Sequence, residues 1–236
     1  MEVVFVGKII VLFLGLFIIY AVIPTILARV FGMGVRKKAN AENQFTLTFD
    51  DGPDPVYTPA LLELLKLYEV KATFFVLGEK AEKYPALIRY MHQEGHLIAI
   101  HHYTHTANWL LSPLQLRNRI NRTAAIIEEI IGVRPAFYRP PWGLVTLADL
   151  GFRKQYQIIL WSLMVGDWRG ERKQKQLKKK LIKRVTQGSI IVLHDSGETF
   201  GAMTDAPKYM LDALHLFLQE VESKGYTCVR MDNLLG

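Results

Sequence analysis

Two neighbouring carboxylates, Asp50 and Asp51, stand where the apolar run 45–49 breaks into a Gly52-Pro53 turn. Adjacent side chains at a strand end point in different directions, so one acid can hold a cation while the other faces a substrate as a base. Alone, the same four residues are equally an Asp-capped turn. Downstream, His101 and His105 lie four apart after the apolar run 97–100. They can project together from one helical turn or tight loop, whereas His102 points elsewhere. A lone pair at this spacing is more often a surface coincidence, but this one follows a strand, as the acid pair does. With Asp51 it makes a His, His, Asp set that leaves positions open for water and a substrate oxygen, the form of a catalytic metal site. Zinc suits these donors, and cobalt, nickel or manganese can also occupy them.

Three further clusters pair a polar group with rigid or aromatic neighbours: Arg139-Pro140-Pro141-Trp142-Gly143, Asp167-Trp168, and Leu193-His194-Asp195. Singly, each reads as a turn or as packing. In order with the acid pair and the His pair, however, they form a set of five. This set resembles the polysaccharide deacetylase family, the metal-dependent carbohydrate esterases built on the NodB-homology domain, over about residues 44–233.

The resemblance implies a distorted barrel of parallel strands with helices outside. It implies that Asp50 is the base, that Asp51, His101 and His105 hold the metal, and that Arg139 orients the base. The backbone N–H of Trp142 would help hold an oxyanion, Trp168 and Leu193 would wall an acetyl pocket, and His194 would be the general acid, tuned by Asp167. Two positions depart from the family: His102 stands where Ser or Thr is usual, and Ser162 follows Trp161 where an acid is common. Neither is a ligand or a proton-transfer group.

The implied reaction is metal-dependent removal of N-acetyl groups from an amino-sugar polymer or oligomer, peptidoglycan-like or chitin-like, with release of acetate. Removal of O-acetyl groups from xylan on the same site is an alternative. A silent sugar-binding scaffold is another, although such a protein has no need of both Asp50 and His194.

The elements that must position these residues alternate along the chain. Apolar runs at 45–49, 72–77, 97–100, 136–138, 158–162, 190–193 and 227–230 read as strands. Between them, 58–68, 80–94, 113–131, 174–186 and 207–224 carry helical apolar spacing. Strand-then-helix repetition predicts an α/β fold with a parallel sheet of about seven strands, whose chemistry gathers at the C-terminal strand ends. In a chain of 236 residues, half of them apolar, this is one catalytic domain, residues 44–236. The single Cys228 can make no internal disulfide, so the core alone must hold the fold.

Residues 9–28 contain no charge and are long enough to cross a bilayer as a helix. They predict a transmembrane anchor within 1–30, followed by a linker at 31–43; a cleaved signal peptide would carry a shorter apolar region and a small-residue cleavage site. The flanking charges conflict with the substrate. Arg29, Arg36, Lys37 and Lys38 follow the segment, and by the positive-inside tendency they place the domain in the cytoplasm. A wall polymer lies outside the cytoplasmic membrane, and the substrate is taken here as decisive.

The formal net charge of +7 is concentrated in residues 169–184, which hold nine Lys or Arg and one Glu. Leu177, Leu181 and Val185 recur there at helical spacing, predicting an amphipathic helix with a cationic wet face. No nucleic-acid reading motif accompanies it. The expected partners are therefore an N-acetylated glycan and the membrane. Gly197 and Gly201 would let the loop 195–205 move.

Overall fold

The structure, a computed structural model, describes residues 2–236, except the side chains of residues 2, 3 and 171–175. Part of the cationic face expected over 169–184 lies on those undescribed side chains; the backbone there is helical. The chain begins with α1 (Glu2–Phe17), a wide π turn (Ile18–Val22) and α2 (Ile23–Phe31). The alternating body follows as β1 (Gln44–Asp50), α3 (Tyr57–Leu67), β2 (Thr73–Val76), α4 (Gly78–Lys83), α5 (Pro85–Gln93), β3 (Leu97–Ile100) and α6 (Pro113–Ile131). It continues through β4 (Phe137–Tyr138), α7 (Leu147–Gly151), β5 (Gln157–Ile158), β6 (Leu163–Met164), α8 (Glu171–Arg184), β7 (Ser189–His194), α9 (Ala206–Val221), β8 (Thr227–Cys228) and α10 (Met231–Leu235).

Seven strands pair in the order β5-β4-β3-β2-β1-β7-β6, every pair parallel, and β8 pairs beside the start of β1. The sheet curls into a partial barrel, open between β5 and β6. The single strand expected at 158–162 is instead largely the crossing between two short strands: only Ile158 belongs to β5, and β6 begins at Leu163. Between them the chain crosses from the β4 edge of the sheet to the β7 edge, so it cannot stay paired to one neighbour. Residues 33–39, expected as linker, lie in that seam. Arg36 donates to Ile158 O and accepts from Leu160 N, both at 2.8 Å, and Ala39 N donates to Gly188 O at 2.9 Å.

Strand alternation sorts the side chains. Phe45, Leu47 and Phe49 of β1, Phe74 and Val76 of β2, and Ile191 and Leu193 of β7 face outward into the main core, with Leu61, Leu65, Ile120 and Phe217 of the helices. Phe75, Ala99, Phe137 and Ile190 face the barrel interior, where Met231 and Leu234 of α10 join them. Thr48, Asp50, Val192 and His194 alternate onto that inner face, so the polar site and its apolar floor share one lumen.

The helix expected over 80–94 divides into α4 and α5 at Tyr84 and Pro85, because Pro has no N–H for the helical ladder and its ring crowds the preceding turn. By contrast α6 keeps its expected bounds. Ser112 and Gln115 form a capping box at its start, and Gly132, at φ 72°, ends it.

Residues Val4–Phe31 form one helix long and apolar enough to cross a membrane. From Val4 to Ile19 its apolar side chains are almost all exposed, whereas Ala21, Pro24, Thr25 and Ala28 are buried against the body of the protein. Cys228 is half-buried, and burial pushes its thiol up to about 12, which makes it a poor nucleophile.

Candidate active site

The residues expected to serve as base and acid come from one rung of the sheet. Asp50 and His194 are register partners at the ends of β1 and β7. Asp51 follows at φ 75°, and this left-handed turn brings its carboxylate into the same cavity as that of Asp50 instead of onto the opposite face. Gly52 then lets the chain pass over Asp195: an added Cβ would fall 2.3 Å from a carboxylate oxygen of that residue. Asp195 is buried and accepts from Thr58 Oγ1 at 2.5 Å. Burial raises its pKa to about 7, against the Thr58 hydrogen bond and the Lys80 charge.

Arg139, directly after β4, has no exposed surface. Its guanidinium lies 4.0 Å from the Phe75 ring centroid and donates to Asp50 Oδ1 at 2.6 Å and to Thr48 Oγ1 at 2.8 Å. It also reaches Ile159 O and Leu160 O, both at 3.3 Å. Asp50 is thereby pinned through Oδ1, and its Oδ2 lies 3.9 Å from His101 Nε2, toward the His pair.

His101 and His105 stand in an irregular loop after β3. Asp51 Oδ1 lies 3.2 Å from His101 Nε2 and 3.3 Å from His105 Nε2. All three donor atoms fall within 4.8 Å of one another. An ion bonded to such atoms at roughly 2.0–2.1 Å in tetrahedral geometry holds them about 3.3–3.4 Å apart. The donor chemistry fits as well. His101 Nδ1 is hydrogen-bonded to Arg139 O at 2.9 Å, which leaves Nε2 as the nitrogen that could meet an ion. Burial lowers the His105 pKa to about 4, against the pull of Asp51, so this imidazole is neutral near pH 7. Asp51 Oδ1 is a buried oxygen with no hydrogen-bond partner among the described residues. Burial works against the charge on Asp51, but the neighbouring histidines outweigh it and hold the carboxyl well below the usual range.

On the other side of the cavity, Asp167 opens a short turn before α8. Its Oδ2 accepts from the His194 backbone N–H at 2.7 Å, and the carboxylate meets His194 Nδ1 at 3.1 and 3.2 Å. Burial alone would lower the His194 pKa; the charge and hydrogen bond of Asp167, aided by Asp51 and Asp50, raise it to about 10. Trp168 stands edge-on to the His194 ring at 5.4 Å, and Trp142 meets the His105 ring at 4.1 Å.

The cavity, about 480 Å³, brings together Asp50, Asp51, His101, His105, Trp142, Trp168 and His194. Leu193 is not among its walls. It is fully buried in the outer core, and Val192, on the same strand face as His194, lines the cavity in its place. The wall position expected of Leu193 is therefore occupied by Val192, as the two-residue period of a strand requires once His194 points inward. Replacing Leu193 by Ala is expected to lower stability by about 2–5 kcal/mol and to leave kcat per folded molecule unchanged, with melting and turnover measured on the same preparation.

Sequence reasoning also missed Thr199, whose hydroxyl donates to Asp51 Oδ2 at 2.7 Å from the loop 195–205. Nothing in that loop's composition distinguishes this threonine from its neighbours. Phe200, 92% exposed, stands at the rim close by. His102, the departure from the family, sits at φ 102°, and its Nδ1 hydrogen-bonds Thr104 O at 2.9 Å. An imidazole thus steadies the loop where a hydroxyl is usual, and burial keeps it neutral, its pKa lowered to about 4.

A curled parallel sheet with a His, His, Asp cluster beside an Arg-held carboxylate and an Asp-held histidine defines a metal-assisted hydrolase of the carbohydrate esterase type. The family profile described as polysaccharide deacetylase matches residues 37–156, and the chain belongs to that family. It is 33% identical to a peptidoglycan-N-acetylglucosamine deacetylase of Bacillus cereus, over 81% of this chain and 68% of that protein. It is 32% identical to the peptidoglycan-N-acetylmuramic acid deacetylase PdaC of Bacillus subtilis, over 80% of this chain but only 38% of that longer protein. The crystal structure of the Bc1960 peptidoglycan N-acetylglucosamine deacetylase superimposes with a TM-score of 0.80 at 30% identity, covering 88% of this chain and 95% of that one.

Proposed function

We propose that this protein is a membrane-anchored hydrolase that removes N-acetyl groups from amino sugars of peptidoglycan and releases acetate. The observation that carries this reading is the pairing of an Arg-fixed Asp50 with an Asp-fixed His194 on one rung, beside a three-donor cluster. A divalent cation, zinc for preference, held by Asp51, His101 and His105 would polarise the amide carbonyl and acidify a bound water.

The chain's own groups account for the proton movements. Asp50, turned by Arg139 so that Oδ2 faces the cluster, takes the proton of the attacking water. The N–H of Trp142 donates to the oxygen on which negative charge develops; a donor so placed contributes roughly 3 kcal/mol. His194, kept cationic by Asp167, protonates the amine as the C–N bond breaks, and Trp168 and Val192 enclose the methyl group. The exposed rings of Trp142 and Phe200 suit the apolar faces of sugar residues at the mouth.

Acetate release should be measured on acetylated chito-oligomers, peptidoglycan fragments and acetylxylan, with and without added divalent metal. The expected result is metal-dependent release from the first two. Release from acetylxylan alone would transfer the activity to O-acetyl groups, and release from none would end the proposal.

The Asp167→Asn variant tests the acid. Removing the carboxylate removes the main influence that raises the pKa of His194. The imidazolium then loses its proton at lower pH, so the alkaline limb of the kcat profile is expected to move down by about 1–3 pH units. An unmoved limb would exclude His194 as the acid.

Such a substrate puts the catalytic domain outside the cytoplasmic membrane. The basic residues after the anchor have structural work that accounts for part of their presence. Arg29 binds the carbonyls of Trp142 and Gly143, and Lys37 binds the carbonyls of Arg29 and Val30 at the end of α2. Protease added to intact cells is expected to digest the domain; full protection would place it in the cytoplasm.

A further inference from the structure

The N-terminal helix does not leave the catalytic body as a free tether. The Phe17 ring stands edge-on to Trp109 at 5.5 Å, and the Tyr20 hydroxyl donates to Leu111 O at 3.3 Å. Thr25 donates to Val145 O at 2.7 Å and accepts from the Trp109 indole at 3.1 Å. Ala28, with no exposed surface, packs with Val145 and Leu160. One helical turn after Thr25, Arg29 donates through Nε to Gly143 O at 3.2 Å and through Nη2 to Trp142 O. Its guanidinium lies 5.7 Å from the Trp161 ring centroid and lines the same cavity as Asp50 and His105.

The turn it grips is an unusual one. Trp142 and Gly143 are consecutive left-handed residues, φ 52° and 63°. A bulky side chain at positive φ persists only where its surroundings impose it. Trp161 presses from one side, where a Cβ on Gly143 would fall 2.8 Å from its ring. Arg29 Nη2 would lie 3.1 Å from that same Cβ, so the guanidinium that holds the carbonyls closes in beside the ring. Two carbonyls met by one planar fork are a fixed geometry, which an ammonium cannot reproduce. A basic residue serving only to meet lipid headgroups would keep its donors free, but Arg29 turns both Nε and Nη2 inward.

We infer that Arg29 is a positioning residue of the active site: by gripping the Trp142–Gly143 turn it sets the N–H aimed at the oxyanion and the indole packed on His105. This rests on the deacetylase reading for the role of Trp142, while the grip itself does not. The anchor is therefore a working part of the catalytic site, and the domain reaches full competence only with α2 docked.

The test uses the full chain, metal-loaded, in nanodiscs, as parent, Arg29→Gln, Arg29→Lys and, as a control on an exposed cation, Arg36→Gln. In Arg29→Gln, kcat for acetate release is expected to fall about 10- to 100-fold, less than or near the effect of deleting an oxyanion donor. KM should change less than kcat, because the Trp142 N–H acts chiefly on the charge that develops in the transition state. Metal content and melting temperature should match the parent, Arg29→Lys should recover part of the loss, and Arg36→Gln should behave as the parent. Amide hydrogen exchange over residues 140–146 should quicken in Arg29→Gln alone, with the sheet unchanged.

Unchanged kcat together with unchanged exchange overturns the inference. So does a rise in KM with kcat intact, which would make Arg29 a substrate contact, and so does an intact mass showing the helix removed from the mature protein. Should Arg29→Gln lose its fold as a whole, Arg29→Lys carries the comparison: local exchange unchanged and kcat at the parental value would overturn the assignment. Should the parent release acetate from no substrate, the deacetylase reading falls separately, and exchange at 140–146 alone decides the grip.

Discussion

Replacing Asp50 by Asn is expected to leave the metal bound and to lower turnover by ~10² or more, the scale of a lost general base. The amide keeps the size of the carboxylate and an oxygen for Arg139, so the geometry of the cluster, made by other residues, should persist. What disappears is the capacity to accept the proton of water. A second effect accompanies it. Arg139 has no exposed surface, and Asp50 is its ion-pair partner among the described residues. Removing one partner of a buried pair costs about 3–5 kcal/mol when nothing replaces it, although the contacts of Arg139 to Thr48, Ile159 and Leu160 reduce that cost here. Turnover must therefore be referred to folded protein, with elemental analysis and melting measured on the same sample. Full activity in this variant would remove Asp50 from the role of base.

Ordered motifs made most of this site legible in the sequence, because each stands directly after a strand and parallel strands must place their C-terminal ends together. Asp50, Asp51, His101, Arg139 and His194 each follow or end a strand that apolar runs had marked. Composition does not show which face of β7 looks inward, and it is Val192, not Leu193, that faces the cavity. The choice is fixed by register with β1, a long-range property: Asp50 and His194 pair, and period two then decides the rest.

Thr199 and Arg29 escaped for a related reason. Each reaches the site from a distant segment through a single side chain, Thr199 across 148 positions to Asp51 and Arg29 across 114 to Gly143. A charge after an apolar helix reads as a membrane flank, and only the docking of α2 gives it another task. The seam at β5 and β6 was likewise hidden. A five-residue apolar run fits a strand as well as a buried crossing between two strands, until the sheet is seen to close around it.

Replacing His101 by Ala is expected to strip the metal, with dialysed protein retaining under about a tenth of the parental content and activity falling with it, since a catalytic site rests on three protein donors. His101 is buried and its ring is set by Arg139 O, and the nearby carboxylate of Asp50 is held to Arg139 through Oδ1. Two donors would remain, Asp51 Oδ1 and His105 Nε2. A graded companion separates ligation from support. Thr199→Val removes only the hydrogen bond to Asp51 Oδ2, leaving all three donors, and losses of supporting hydrogen bonds typically weaken metal affinity about 10- to 100-fold. Competition with a chelator should then order the proteins as parent, Thr199→Val and His101→Ala, from tightest to weakest. Because a bound metal stabilises the folded state by mass action, the melting shift on adding zinc should follow the same order, an independent readout that needs no substrate. Undiminished metal in His101→Ala would show that Asp51, His101 and His105 do not form the binding centre.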